Sequence, residues 1–419
     1  MRSRSAITVC LTAVVIGLVA IYTQGEADAL RAPNTDADNA AGFSALPGGS
    51  RHPNQAAESK SKDETTVYRH GYMSLCYHAA GWELLDVRRI WPSASLSGGD
   101  TQRSHTAFTD LARFRDAWHC VFREGKNHFI GGHLRVIRSQ DGKEWETAFT
   151  FTPEPPFVDA RDAKLLVADD RLVIVGHEVG TSIRRSMQWI SEDGTSWDGP
   201  FYSEGGDNTW IWGVARHKGT GYGVAYAGKH ERRGAFYRTD DFKTWELVAD
   251  AIFPGGAGTE AAFFIDDDDR VVMLLRDAGK RRSLGFSKPP YDQWRWESPK
   301  PPIGSTIGGP AIIRLSDGRV IVGGRTPAPV GGCPHSDRQV MFFEWDLENN
   351  NFYWLFTLPA MMDSGYPGFV EHDGELWISY YSTHENQNPT PHYHHSNPAI
   401  FLARVKIGGV RKTRQSSPR

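Results

Sequence analysis

Cysteine is scarce in this sequence. There are four in 419 residues, and one of them, Cys10, lies in an N-terminal apolar run. The remaining three, Cys76, Cys120 and Cys333, are an odd count that makes no disulfide framework, although one pair could form in an oxidising compartment. Beyond the N-terminus no apolar run is long enough to span a bilayer. Net charge is also low, at −3 from 47 Lys and Arg against 50 Asp and Glu. With no overall positive field to draw in phosphates, a general nucleic-acid binder is excluded. Helical periodicity is missing as well, because no long window repeats apolar residues at the spacing of a helix face.

Aromatic residues and glycine are plentiful, with 14 Trp and 43 Gly, enough for a large core and many tight turns. Met1–Arg4 is a short basic start, Ala6–Ile21 is apolar, and Ala27-Asp-Ala29 is a small-x-small cleavage pattern. Residues 1–29 therefore read as a signal peptide and predict a secreted or periplasmic protein, with an uncleaved anchor as the lesser alternative. Residues 30–66 are poor in large apolar side chains and read as a disordered linker. Residues 67–408 read as one folded domain, and 409–419 as a basic tail.

A short pattern recurs inside that domain. Ser139–Trp145 (Ser-Gln-Asp-Gly-Lys-Glu-Trp), Ser191–Trp197 and Thr239–Trp245 share a hydroxyl, an Asp two residues on and a closing Trp, and Ser287–Trp294 is a degraded copy. The Asp can accept backbone N–H bonds, glycine supplies a left-handed conformation, and the Trp lays an apolar face across a hairpin. Trp145, Trp197, Trp245, Trp296 and Trp345 recur at about the 50-residue period of a propeller blade. Between them, Lys164–Gly176, Ala261–Leu275, Ala311–Gly323 and Gly368–Tyr380 each read as strand, acidic or Asp-Gly turn, strand. The expected fold is all-β, a six- or seven-bladed β-propeller, seven being the nearer quotient of domain length and blade period. Ile400–Val405 is expected to close the ring beside a strand from the start of the domain.

Propeller sites form at one mouth of the central channel, so polar residues at hairpin ends are the candidates. Four groups stand out: Gly258-Thr-Glu260 with Leu275-Arg276; Arg325 with Asp337-Arg338; Asp363–Pro367 running into Tyr380–Glu385; and Ser104–Asp110 with the stretch Phe122–His128, which carries Glu124 and, as a candidate for binding substrate, Arg123.

The Asp-containing repeats, with Glu260, Arg276 and Tyr366 in that order, resemble the sialidase family over most of Ser104–Val405. The resemblance implies Tyr366 as a nucleophile, Glu260 as its base, and Arg276 with Arg338 or Arg325 as a clamp on the substrate carboxylate. A phenol with an ordinary pKa near 10 needs such a base to attack, and guanidiniums bind a planar carboxylate bidentately. The family's first Arg and its Asp acid/base have no counterpart: the matching strand begins at His105, and the next loop offers Glu124 and His128. That departure resembles the ulvan lyases, propellers that pair His residues with a later Tyr and Arg, here Tyr222 and Arg238, to perform β-elimination on a uronate.

The expected activity is cleavage of glycosidic bonds in an acidic oligosaccharide or polysaccharide by a monomer needing no cofactor. A lyase acting on uronic-acid polymers and a non-catalytic glycan-binding propeller are the alternatives. No metal is expected: the His384–His395 loop reads as a solvated rim, Asp266–Asp269 as a hairpin turn, and Cys333-Pro-His335 as a turn with a partly buried thiol.

Overall fold

Acidic turns between β-branched runs fold here as hairpins, and the hairpins assemble into six antiparallel sheets. The computed structural model describes residues 66–70, 74–79, 81–92, 105–129, 131–207, 209–226, 232–276, 283–300, 307–327, 338–361, 363–385 and 397–409, all within one unit, Lys60–Arg419. The innermost strands of the six sheets are β4 (His105–Phe114), β8 (Phe157–Ala168), β12 (Trp210–His217), β16 (Ala261–Ile265), β20 (Gly308–Arg314) and β24 (Gly365–His372). Each touches the next, and β24 touches β4, so the sheets form the blades of a closed propeller.

The blade count is six, the lower of the two expected numbers. The seventh share of chain length goes elsewhere. Strands β1 (Thr66–His70) and β2 (Ser74–His78) form a hairpin on the outer edge of the fifth blade, which thereby has six strands. Strand β3 (Glu83–Trp91) pairs with β26 (Ala399–Lys406) and completes the sixth blade, which closes the ring as the sequence predicts.

The recurrent Ser/Thr-x-Asp stretches all make one turn. In the first, the Ser139 hydroxyl accepts the Gly142 N–H at 2.9 Å and Asp141 accepts the Lys143 N–H at 2.8 Å. Ser191 with Asp193 and Thr239 with Asp241 do the same. The degraded copy keeps one bond of the set, from the Trp294 indole to the Tyr291 carbonyl, as Trp145 bonds the Gly142 carbonyl.

Apolar faces pack between neighbouring blades, with Trp189, Trp212 and Trp345 among the largest fully buried side chains. Trp118 stacks on Trp377 across the junction of the first and sixth blades, centroids 4.1 Å apart. Cys120 is a free buried thiol; Cys333 and the side chain of Cys76 lie outside the described residues. Asp266–Asp269 is a hairpin turn, its carboxylates engaged by Arg270, His217, Lys218 and Arg314. Among the described residues no helix is long and apolar enough to cross a membrane.

Five of the six inner strands carry a register shift near their N-terminal end: between Ala107 and Asp110, Arg161 and Lys164, Ile211 and Gly213, Gly308 and Ala311, and Gly365 and Gly368. Such bulges kink a strand and re-aim side chains. At four of them a residue has positive φ: Phe108 (62°), Asp162 (51°), Gly309 (55°) and Tyr366 (51°). The candidate site is built on this end of the ring. The Ser/Thr-x-Asp turns follow the third strand of the first three blades and lie at the other end.

Candidate active site

Glu260, immediately before β16, is the hub of one half of the site. Its Oε1 accepts the Tyr366 hydroxyl at 2.6 Å and Arg276 Nη1 at 2.8 Å, and its Oε2 accepts the Gly309 N–H at 2.6 Å. The two bulges explain the contact: β20 offers a backbone N–H at Gly309, and β24 turns Tyr366 inward. A Cβ on Gly309 would lie 2.4 Å from the Tyr366 ring, so glycine is required there for packing as well as for its φ. Burial alone would raise the Glu260 pKa, but Arg276, then the Tyr366 and Gly309 bonds, hold it below its ordinary value. Burial and the Glu260 charge push the Tyr366 phenol well above 10 against the pull of Arg276 and Arg325. Tyr366 is thus a protonated phenol donating a short bond to an ionised carboxylate.

Asp363 is the second hub, fully buried. Its Oδ1 accepts Arg325 Nη1 at 3.2 Å and the Tyr381 hydroxyl at 2.9 Å, and its Oδ2 faces His105 Nε2 at 2.7 Å and His128 Nδ1 at 3.1 Å. Burial would raise its pKa, yet the bonds and charges of the two histidines hold it far below the carboxylate range. Burial also lowers both imidazoles, His128 to about 4, so each is neutral at neutral pH despite the pull of Asp363.

Arg123 sets the tautomer of His105. Its guanidinium, which can only donate, lies 3.3 Å from His105 Nδ1, so that nitrogen accepts and Nε2–H donates to Asp363. His105, His128 and Asp363 place three ligand-type atoms within 4.8 Å of one another, as a metal site would. A metal on His105 Nε2 would require Nδ1–H to face the Arg123 donor, whereas metal-bound histidines present that proton to an acceptor. The residues fit a hydrogen-bonded relay better than a metal centre.

Phe108 joins the halves, its ring centroid 5.0 Å from Tyr366, 5.4 Å from His128 and 5.6 Å from Tyr381. Below lies a cavity of about 180 Å³ lined by inner-strand residues, among them Asp110, Lys164 and Trp212.

The structure therefore brings together Tyr366, Glu260, Arg276, Arg325, His105 and His128. Arg325, 8% exposed, holds Asp363 and lies over the Tyr366 ring. Arg338 begins a strand opposite Pro327, and its side chain lies outside the described residues.

Three expectations need correction. Arg123 is fully buried and bound to Asp159 through Nε and Nη2, at 3.0 and 2.7 Å, so it positions His105 and cannot reach a substrate. Tyr222 and Arg238 are cross-strand partners lower in the third blade. Tyr222 stacks on Phe236, exposed Arg238 pairs with Glu246 at 2.7 Å, and the residue of that strand beside Glu260 is Tyr226, four positions or about 13 Å further along. Glu124, offered by its loop as an acid, accepts bonds from Trp91, His133 and Arg135. Against the effect of burial these hold its pKa near 2, so it has no proton to give.

Asp363, Tyr381, Asp159, Arg161 and Asp162 belong to the site region and were not singled out by sequence reasoning. Asp363 and Tyr381 sit in stretches already marked, and Asp363-Ser-Gly-Tyr had the signal of a carboxylate beside a candidate nucleophile.

The fold is that of sialidase-like propellers. A Dyadobacter fermentans protein of unknown function is 17% identical with a TM-score of 0.62, the match covering 78% of this chain and all of that one. Trypanosoma rangeli sialidase, solved with the inhibitor DANA, is 12% identical with a TM-score of 0.56; the match covers 82% of this chain but only 58% of the sialidase. The intramolecular trans-sialidase of Ruminococcus gnavus, solved with oseltamivir carboxylate, is 12% identical with a TM-score of 0.54, over 74% of this chain and 96% of that one. No protein-family model matches the sequence, and no curated protein matches it.

Proposed function

We propose that this protein is a glycoside hydrolase that cleaves an acidic sugar from a glycan through a covalent intermediate on Tyr366, acting outside the cytoplasm as its apolar leader implies. The observation that carries the reading is the 2.6 Å bond from the Tyr366 hydroxyl to a Glu260 carboxylate that also holds Arg276. As Tyr366 Oη attacks the anomeric carbon, its proton passes to Glu260, and Arg276 with Arg325 pairs with the sugar carboxylate. Arg276 is well placed for this, being the more exposed of the two, at 34% for its side chain. The solved sialidase complexes support a sialic acid as the first sugar to try. The test is a screen of sialosides and uronides read for a new reducing end, repeated with Tyr366→Phe; full activity in that variant would refute the mechanism.

One observation favours a second reading, β-elimination on a uronate polymer. The neutral His128, bonded through Nδ1 to Asp363, is a candidate base beside the Tyr366–Glu260 pair. A lyase product absorbs in the near ultraviolet through its new double bond, and the hydrolase product does not. A binding module yields neither product.

A further inference from the structure

The reaction above needs a group to protonate the departing glycosidic oxygen. Glu124 is saturated with donors and ionised, and burial keeps His128 without a proton to give. Asp162 lies in the site region and has so far no assigned role. It occupies the bulge of β8, between Arg161 and Lys164, with a φ of 51°, the same value as Tyr366 in the bulge of β24. The two residues are thus presented by equivalent kinks in different blades.

A left-handed backbone at a non-glycine residue is unfavourable and concentrates at functional positions. Asp162 adds a second unfavourable feature: its side chain is buried, 7% exposed, and Oδ1 has no hydrogen-bond partner. The charged and titratable groups acting on it are Arg161, Lys164, Asp159 and Glu260, and its own charge is felt by Tyr366 and Tyr226. Asp162 therefore lies within the electrostatic reach of both the nucleophile and its base. No contact of its own accounts for its placement there.

We infer that Asp162 is the acid/base of the reaction, an inference that rests on the glycosidase reading. In the first step its carboxyl proton passes to the glycosidic oxygen as the bond to the anomeric carbon breaks and the bond to Tyr366 Oη forms. In the second step its carboxylate takes a proton from water, whose oxygen displaces Tyr366, and the phenol recovers its proton from Glu260. Burial, reinforced by Glu260 and Asp159 and opposed by Arg161 and Lys164, raises the carboxyl to about 7, so that it can serve in both forms at neutral pH.

The test compares kcat/KM for the 4-methylumbelliferyl and methyl glycosides of one acidic sugar, N-acetylneuraminic acid first and glucuronic acid second. An aryl leaving group needs little protonation and a methyl glycoside needs it fully. Asp162→Asn is expected to lose about 10²–10⁴-fold on the methyl glycoside and under about tenfold on the aryl one. The wild-type profile is expected to fall through an alkaline limb near pH 7 that is much weaker with the aryl substrate. Equal losses on the two substrates, or no such limb in the wild type, would overturn the assignment. If the variant does not fold, the difference between the two wild-type profiles decides. A wild type that cleaves neither pair fails the glycosidase reading itself, before any variant is made.

Discussion

Replacing Asp162 by Asn removes a buried charge while keeping the side-chain shape, and its effect on stability is independent of any substrate. In the unfolded chain the carboxyl titrates at its ordinary 3.8, and in the folded chain at about 7. The native state therefore holds this proton more tightly. Between those two pH values it binds more protons than the unfolded chain, so the contribution of Asp162 to stability falls as pH rises through the window. The loss is complete above about pH 7. A displacement of about three units, at 1.36 kcal/mol each, makes the full difference about 4 kcal/mol. The amide of the variant leaves an NH₂ group to be satisfied in the same site, at about 1–3 kcal/mol whatever the pH. The discriminating quantity is thus the slope. Urea unfolding of both proteins at pH 4, 6 and 8 should show the variant gaining up to about 4 kcal/mol on the wild type across the series. Parallel pH dependences would mean that Asp162 is solvated or paired in a way this structure does not have, and would refute its burial as an unpaired carboxyl.

Other variants separate the two hubs. Tyr366→Phe takes one donor from the buried Glu260 and should cost about 1–3 kcal/mol in urea unfolding, while reducing glycoside cleavage by about 10²–10⁴-fold, measured as reducing-end release. Gly309→Ala must move either the Tyr366 ring, 2.4 Å from the new methyl, or the N–H that holds Glu260. It should lower kcat by about tenfold or more and also reduce stability, since alanine is strained at φ 55°. Asp363→Asn leaves Arg325 buried without its carboxylate and should destabilise by about 3–5 kcal/mol in urea unfolding. Because the Asp363 charge pulls both imidazole pKa values up, His128 should then titrate lower still, a shift measurable by NMR.

Much of this molecule was legible because its signals are local. Ser139 with Asp141 and Trp145 makes its turn from its own seven residues, so the spacing alone announces a hairpin. Asp373-Gly374 and Asp317-Gly318 did the same for two further hairpins. Glu260, Arg276 and Tyr366 were readable as an ordered set at strand ends. The blade count was harder, because β1, β2 and β3 resemble the start of a blade and in fact finish two others. Tyr222 and Arg238 misled for a related reason: alternation shows which face a strand residue takes, but not how far along the channel it sits. Asp162 was invisible. Its sequence, Ala-Arg-Asp-Ala-Lys, reads as an ordinary strand, and what sets it apart is a bulge and a sign of φ that no spacing encodes. The acceptor role of Asp363 was hidden for a different reason, since its partners His105 and His128 lie 258 and 235 positions away in the chain.

The pairing of β3 with β26 also bears on when the protein can act. A stack of repeats gains its faces one unit at a time, but a ring has no end blade and gains its last interface only when the final strand arrives. During synthesis His105 emerges early, whereas Asp363 and Tyr366 come from the blade that β26 completes. The two adjacent inner strands at the second hub, β4 with His105 and β24 just after Asp363, are first and last in the order of blades. Loss of Ala399–Lys406 by proteolysis would separate β25 (Glu375–Ser382) from β3 and strip the sixth blade to its two inner strands, leaving the β24–β4 contact without its outer support. Clipping at that one strand is therefore expected to loosen the sixth blade, and with it Asp363 and Tyr366, while the other blades still hold their strands, so an intact C-terminal strand would mark protein with both residues in place.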